Sequence, residues 1–288
     1  MTDQDPYRAP DSEAEPNAGA IRPMSSAAAG GWTLVATFLF LFAAALAFSL
    51  RSDKSGEYLI TGVTAQVVAY SLTLFFVLRV HAPDASVFRF IGVRPTAPSF
   101  YFLGAALGLA MQLPINALYA GLLHRWPLST PSDLQPYYDA ASLPTRVLMG
   151  LALVAVGPMI EEMFFRGVLF SPLLRRPGPG RPLVAVAMTA LLFAAVHMKW
   201  QDIVCIIPMG VILGVLRYQS GSLLPSIFAH ASFNAVAMGQ LAARQEDFQP
   251  SKSIIGLTAA ASALVIAAIV WLGRQSESAE AARAEDVS

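Results

Sequence analysis

Two adjacent carboxylates and an arginine interrupt an otherwise apolar stretch at residues 147–174. They are Glu161, Glu162 and Arg166. A charged residue at mid-membrane costs about 2.5 to 3.5 kcal/mol, so such residues normally face a cavity or pair with one another. Glu162 and Arg166 are four residues apart on one helix face, which predicts an ion pair, whereas Glu161 is rotated about 100° away. Glu161 is therefore free for chemistry, unless the three residues form a buried ion cluster that only fixes helix packing.

Two other apolar stretches contain histidine. His197 ends one of them, four residues after Phe193, and His230 lies within the other, four residues before Asn234. A single intramembrane histidine most often hydrogen-bonds a neighbouring helix. Two histidines with an asparagine and an unpaired glutamate can do more, because Glu and His activate water and an imidazole with an amide stabilises an oxyanion. This set of side chains is sufficient for hydrolysis.

Other polar or small residues in apolar stretches give weaker signals. Gln112, Pro114 and Asn116 interrupt one stretch and either line a cavity or satisfy one another. Gly210 and Gly214 form a small-xxx-small pattern, which favours a close helix contact. The sequence contains no HExxH, GxSxG or P-loop motif.

The composition indicates the kind of element that must position these residues. Hydrophobic residues make up 55% of the 288 residues and charged residues 13%, against about 25% charged in soluble domains. The net charge of zero excludes binding of nucleic acid through phosphate neutralisation. A lone Cys205 excludes an internal disulfide. The chain is therefore predicted to be an integral membrane protein.

Apolar runs close to the roughly 20 residues that span a bilayer recur along the chain, and all but the fourth lack charged residues. They predict an all-α, polytopic membrane helix bundle with about eight transmembrane helices. The runs are residues 32–50, 58–78, 99–123, 147–174, 182–198, 203–216, 222–243 and 253–273. The fifth and sixth are shorter than a full span, so the count is seven or eight.

The same runs divide the chain into five parts. Residues 1–31 form a disordered polar tail, residues 32–140 the N-terminal membrane helices, residues 141–243 the catalytic core, residues 244–273 the last membrane helix and residues 274–288 a disordered tail. Eleven Lys and Arg residues lie on the side of the termini and seven on the other. The positive-inside rule then places both termini in the cytoplasm of a multi-pass cell-membrane protein.

The candidate residues differ in their expected depth. Glu161 and His230 lie in the middle of their runs, whereas His197 lies near the end of its run. Their convergence requires the connection at residues 199–202 to dip into a water-filled cavity, where non-helical backbone is tolerated.

Three short motifs together resemble the CPBP family, the CaaX proteases and bacteriocin-processing or immunity proteins also called Abi. The motifs are Glu161-Glu162-x-x-x-Arg166, Phe193-x-x-x-His197 and His230-x-x-x-Asn234, in this order on separate apolar helices. The resemblance covers roughly residues 145–240. It implies an intramembrane endopeptidase in which Glu161 and His197 activate water. It further implies that His230 and Asn234 hold the oxyanion while Glu162 and Arg166 support the site.

The substrate implied by the resemblance is a membrane protein or a membrane-associated peptide, held within the lipid bilayer. No cofactor is expected, because an amide is a poor zinc ligand and only one carboxylate is unpaired. The alternative is a zinc site formed by Glu161, His197 and His230. Two other functions compete: a catalytically silent scaffold or immunity protein, and a transporter. A transporter should show inverted repeats, and the sequence has one polar cluster with no matching second half.

Overall fold

The computed structural model describes residues 20–49, 57–128, 134–245 and 250–285. Within these ranges the chain is all-α, with helices joined by short connections. In chain order the helices are α1 (Ser26–Ser49), α2 (Glu57–His81), α3 (Val87–Ile91), α4 (Pro98–Arg125), α5 (Gln135–Ala140), α6 (Leu143–Leu174), α7 (Arg181–Ala195), α8 (Trp200–Ser220), α9 (Leu224–Ala242) and α10 (Lys252–Glu285).

Every apolar run predicted from the sequence forms a helix. Six helices in the described part of the chain are long and apolar enough to cross a membrane, namely α1, α2 from Tyr58, α4, α6, α8 and α10 up to Ser276. The expected count of about eight is not reached by this measure. Helix α7 has 15 residues and is too short, and α9 carries Ser226, His230 and Asn234, which lower its hydropathy. The two helices that fall short lead to, or carry, candidate histidines.

Both predicted tails are partly helical. Helix α1 begins at Ser26, inside the predicted N-terminal tail, because Ser25 Oγ accepts a hydrogen bond from the Ala28 N–H and caps the helix. The preceding backbone is also bonded, since the Arg22 N–H donates to the His81 carbonyl and the Met24 N–H to Pro172. Helix α10 continues to Glu285, as its Ala- and Glu-rich sequence favours. Residues 1–19 and 286–288 lie outside the described residues.

Glycine seams bring the helices that carry the site close together. In α8, a Cβ at Gly210 would lie 3.0 Å from Ala190 Cα and one at Gly214 would lie 3.1 Å from Val186 Cγ1, so the predicted close helix contact is confirmed against α7. A second seam runs along α4, where a Cβ at Gly104 would lie 2.7 Å from the Pro225 carbonyl oxygen. One turn later, a Cβ at Gly108 would overlap the carbonyl oxygen of Ala229, the residue before His230. This second pattern was not singled out in the sequence.

The amides in α4 contact one another. Gln112 donates to Asn116 Oδ1 at 2.9 Å, and Asn116 donates to Gln240 Oε1 of α9 at 3.1 Å. Of the two interpretations left open by the sequence, the structure supports contact between the amides, although the buried Gln112 Oε1 has no hydrogen-bond partner among the described residues. The chain of amides adds a polar contact to the packing of α4 against α9.

Candidate active site

Glu162 and Arg166 form the predicted ion pair in the middle of α6. Arg166 Nη1 lies 2.8 Å from Glu162 Oε1, and both side chains are fully buried. Arg166 Nη2 also donates to the Gly210 carbonyl at 2.9 Å, and the guanidinium lies 4.6 Å from the centre of the Phe193 ring. The pair therefore joins α6 to α7, which carries Phe193, and to α8, which carries Gly210.

His230 enters this cluster from α9. Its Nδ1 lies 3.0 Å from the same Glu162 Oε1 that binds Arg166, and its Nε2 lies 3.7 Å from Glu161 Oε2. A carboxylate that accepts from one ring nitrogen fixes the orientation of the imidazole and directs the other nitrogen outward. Glu162 thus bridges Arg166 and His230, a role that helix spacing alone did not predict.

Glu161 lies beside this cluster but faces open space. Its side chain is 18% exposed, whereas that of Glu162 is fully buried. Its Oε1 accepts a hydrogen bond of 2.9 Å from Gln66 Nε2 of α2. Glu161 and Gln66 line a cavity of about 340 Å³, which is also lined by His197. The remaining walls come mainly from apolar residues of α1 and α2, including Phe40, Leu59, Gly62 and Val63.

His197 lies in the turn that ends α7. The turn closes through hydrogen bonds from the His197 N–H to Ala194 and from the Met198 N–H to Ala195, and Met198 takes a left-handed φ of 63°. His197 Nδ1 lies 2.9 Å from the Phe193 carbonyl oxygen, so this nitrogen carries a hydrogen, and in the neutral ring Nε2 has a free lone pair. Because α8 begins at Trp200, the non-helical turn is shorter than expected, and it places His197 in the same cavity as Glu161.

One phenylalanine ring joins the two imidazoles. The centre of the Phe193 ring lies 5.2 Å from that of His197 and 5.7 Å from that of His230, with both pairs close to edge-on. Glu161 and His197 therefore line the cavity, and the Phe193 ring links His197 to His230, which contacts both glutamates.

Asn234 has a backbone partner that the sequence did not reveal. Its Nδ2 donates to the Leu153 carbonyl at 2.9 Å. Residues Ala152–Val156 of α6 are π-helical, and the Gly157 N–H donates to Ala152, five residues back. The donor for Leu153 in that register would be residue 158, which is a proline without an N–H. Asn234 supplies the missing donor and keeps a second amide hydrogen.

A second π-helical stretch, Met163–Leu169, contains Arg166. The Arg166 carbonyl accepts from Nε of the buried Arg217 at 3.1 Å. In the same stretch a Cβ at Gly167 would lie 2.8 Å from Ile91 Cβ of α3. Wide helical turns of this kind are frequent at functional sites, because they release backbone groups and reorient side chains.

The alternative zinc site would use Glu161, His197 and His230. Among the described residues, no group of three or more His, Cys, Asp or Glu side chains is placed to hold a metal ion. Gln66 binds Glu161 Oε1 and Glu162 binds His230 Nδ1, which leaves Glu161 Oε2 and the Nε2 atoms of His197 and His230 as the atoms that could bind a metal. The alternative set of Glu161, His197 and His230 stays a prediction.

Gln66 and Tyr70 were missed from the sequence. Gln66 binds Glu161 directly, and Tyr70 lines the same cavity. Their run at residues 58–78 contains no charge but several other polar residues, including Thr61, Thr64 and Thr73. The sequence of this run does not show which of its polar residues faces the site.

Comparison with known proteins identifies one segment of the chain. Residues 143–236 match the family described as type II CAAX prenyl endopeptidase Rce1-like, which confirms the resemblance to CaaX proteases. The matched segment contains the six candidate residues of α6, α7 and α9 and leaves α1 and α2 outside.

The chain is also similar to an uncharacterized 24.3 kDa protein of Escherichia coli. The two are 26% identical over 184 residues, which cover 61% of this chain and 76% of that protein. No solved structure matches the chain. Together these findings support a multi-pass membrane protein of the CAAX-protease type at the level of the family.

Proposed function

We propose that the protein is an intramembrane endopeptidase that hydrolyses peptide bonds of membrane proteins or peptides with a water activated by Glu161 and His197. The observation that carries this proposal is that Glu161 and His197 line one cavity, while the neighbouring Glu162 is fully buried and bound. The cavity provides room for a peptide segment, and its apolar walls favour apolar side chains.

Hydrolysis at this site begins with a water between Glu161 Oε2 and His197 Nε2. Glu161 takes one proton while the oxygen attacks the carbonyl carbon of the peptide, and His197 accepts a hydrogen bond from the second hydrogen. The C–N bond then breaks, and the proton held by Glu161 is delivered to the leaving amine nitrogen. The acid and amine products balance the water consumed.

The negative charge that develops on the carbonyl oxygen is stabilised by α9. With Nδ1 of His230 donating to Glu162, the imidazolium form donates from Nε2 to the oxyanion, and the second amide hydrogen of Asn234 adds to this. Glu162 and Arg166 act indirectly, since they hold the His230 ring in place.

Variants of Glu161 test the proposal. Glu161→Gln keeps the shape of the side chain but cannot accept the proton, so we expect the loss of proteolysis with the folded protein retained. Asp84→Asn, an equivalent change at an exposed residue between α2 and α3, is the matched control. Both are compared with wild type by mass spectrometry of the C-termini of membrane proteins in cells. Purified proteins are then assayed with quenched apolar peptides, with and without a C-terminal prenylated cysteine.

The expected result is a set of new C-termini in wild type and Asp84→Asn cells that is absent with Glu161→Gln. Preference for the prenylated peptides would extend the activity in the family's description to this chain. Equal product levels with wild type and Glu161→Gln would overturn the role of Glu161 as the base, and no product with either protein would favour a silent scaffold.

A further inference from the structure

Helix α2 reaches into the candidate site through one amide. Gln66 Nε2 lies 2.9 Å from Glu161 Oε1, although 95 residues separate the two in the chain. Gln66 lies outside the segment that matches the endopeptidase family, and outside the three motifs. Residues 59, 62, 63, 66 and 70 of α2 all line the cavity, so one face of this helix runs along the cavity to Glu161.

The two oxygens of Glu161 have different surroundings. Oε1 is held by Gln66, whereas Oε2 faces His230 Nε2 at 3.7 Å. A carboxylate held at one oxygen loses its freedom to rotate, so the direction of the other oxygen is fixed as well. The oxygen that faces the imidazole is then the one available for a water.

The tyrosine one turn after Gln66 packs α2 against α6. The ring of Tyr70 lies 4.7 Å from the Phe164 ring of α6 and 6.1 Å from that of Phe165. The aromatic contacts join α2 to α6 independently of the amide. The Gln66–Glu161 bond is therefore not needed to hold the two helices together, and its consequence is local to the carboxylate.

The chemistry of an amide suits this position. A lysine or arginine at residue 66 would form an ion pair with Glu161 and make it a poorer base, whereas a neutral amide donates a hydrogen bond without neutralising the charge. An alkyl side chain would leave Oε1 without this donor.

We propose that Gln66 is a positioning residue that binds Oε1 of Glu161 and so directs Oε2 toward the water and the peptide. The inference rests on the proposed function, in which Glu161 is the base. It adds to the site a residue from the N-terminal helices, which the family match does not include.

The test compares Gln66→Leu with a matched amide elsewhere. Gln66→Leu removes the donor at similar volume, and Gln66→His returns an N–H donor at a similar reach. Gln112→Leu is the control, because Gln112 is an amide in α4 that binds Asn116 and does not line the cavity. All are measured as folded, purified protein with the quenched peptide that wild type cleaves fastest.

We expect Gln66→Leu to lower kcat roughly 10- to 100-fold with KM little changed, because displacing a catalytic group by about 1 Å costs on this order. Gln66→His should recover part of the loss, and Gln112→Leu should keep the wild-type kcat. An unchanged kcat in Gln66→Leu, with Glu161→Gln inactive, would overturn the inference and leave the proposed function standing. An active Glu161→Gln would overturn both.

Infrared spectroscopy tests the contact without any activity. The carboxylate band that disappears in Glu161→Gln is assigned to Glu161, and this band should shift in Gln66→Leu but not in Gln112→Leu. If the band stays in place in Gln66→Leu, Gln66 does not bind Glu161 and the inference is wrong, whatever the protein cleaves.

Discussion

The two adjacent glutamates differ in burial and in partners. Glu162 is fully buried and accepts from both Arg166 and His230 through one oxygen, whereas Glu161 is partly exposed and accepts from a neutral amide. A buried carboxylate is tolerated only when its charge is compensated, so Glu162 and Arg166 depend on each other. Glu161 does not depend on an ion pair, and its charge remains available for a proton.

This difference predicts that substitution of the Glu162–Arg166 pair lowers stability, whereas substitution of Glu161 does not. Arg166→Ala leaves Glu162 buried without its cation, and removal of one partner of a buried pair costs about 3 to 5 kcal/mol, so we expect a lower folded yield and a lower melting temperature in detergent. Glu161→Gln should melt close to wild type, because it breaks no ion pair with Arg166. Equal destabilisation by the two changes would contradict the assignment of Glu162 as the bound carboxylate.

Asn234 is predicted to have a structural role that can be separated from its chemical role. Asn234→Leu leaves the Leu153 carbonyl without a donor, which costs about 1 to 3 kcal/mol. Adding Pro158→Ala restores an N–H that can bond this carbonyl, so the double variant should regain stability relative to Asn234→Leu. Thermal unfolding of both single variants and the double variant forms the cycle.

The activity of the double variant then isolates the second amide hydrogen of Asn234. It should remain low, because the backbone is repaired but the proposed donor to the oxyanion is missing. A double variant that unfolds as early as Asn234→Leu would show that Pro158 is not the reason why Leu153 needs Asn234.

At the scale of residues, the sequence predicted the pair of Glu162 and Arg166, which the structure confirms, but not the bonds from distant helices. The spacing of Glu162 and Arg166 predicts their pair because both lie on one helix. The contacts from Gln66 to Glu161 and from Asn234 to Leu153 depend on how distant helices pack and on where α6 widens. A local sequence pattern shows neither how two distant helices align nor which backbone carbonyl lacks a helical donor.

Helix α9 owes its position to the close approach of α4. Because Gly104 and Gly108 lack side chains, the two backbones come near enough for the Ala229 carbonyl, next to His230, to lie against Gly108. Small residues allow such approaches between membrane helices. The seam therefore fixes how far His230 projects toward Glu161 and Glu162.

The seam gives a matched pair of variants. Gly108→Ala places a methyl group where the Ala229 carbonyl oxygen lies, so α4 and α9 must separate, and we expect loss of activity with a lower melting temperature. Gly121→Ala, also in α4, has nothing within 4 Å of the added Cβ and should leave both unchanged. Wild-type activity in folded Gly108→Ala would show that the α4–α9 distance does not position His230.

At the scale of elements, apolar runs predicted the eight longer helices of the described bundle but not the short α3 and α5, nor every helix end. Helix α1 begins earlier than its apolar run because Ser25 caps it, and α10 continues because its polar residues also favour a helix. The π-helical stretches of α6 were not predicted. They arise where Pro158 removes a donor and where Asn234 and Arg217 donate hydrogen bonds to the released carbonyls.

The whole molecule places its described N-terminal segment and its cavity at opposite ends of the bundle. Residues 20–25 are bonded to the ends of α2 and α6, at His81 and Pro172. The cavity lies toward the end where α2 begins and α7 ends, and it is lined there by Tyr58, Leu134 and His197. Helices α1 and α2, outside the family match, supply much of its wall, so the family segment alone does not form the cavity.

Orientation therefore decides from which side a substrate enters. The eleven-to-seven bias of Lys and Arg predicts cytoplasmic termini, and the cavity then opens toward the other face of the membrane. Reporter fusions at residues 1 and 288 should both report the cytoplasm. A membrane-impermeant maleimide should label Leu134→Cys in cells with a permeabilised outer envelope, since Leu134 is exposed, and should leave wild type unlabelled because Cys205 is buried.

The opposite orientation would follow if Leu134→Cys is labelled only after the inner membrane is opened and both reporter fusions report the outer side. The cavity would then face the cytoplasm, and the positive-inside prediction would be wrong. Labelling on the same side as the reporters would instead contradict the placement of the cavity at the end opposite residues 20–25. Each result follows from the helix order, because α2 carries the chain from the Tyr58 end to the His81 end, where residue 22 is bonded.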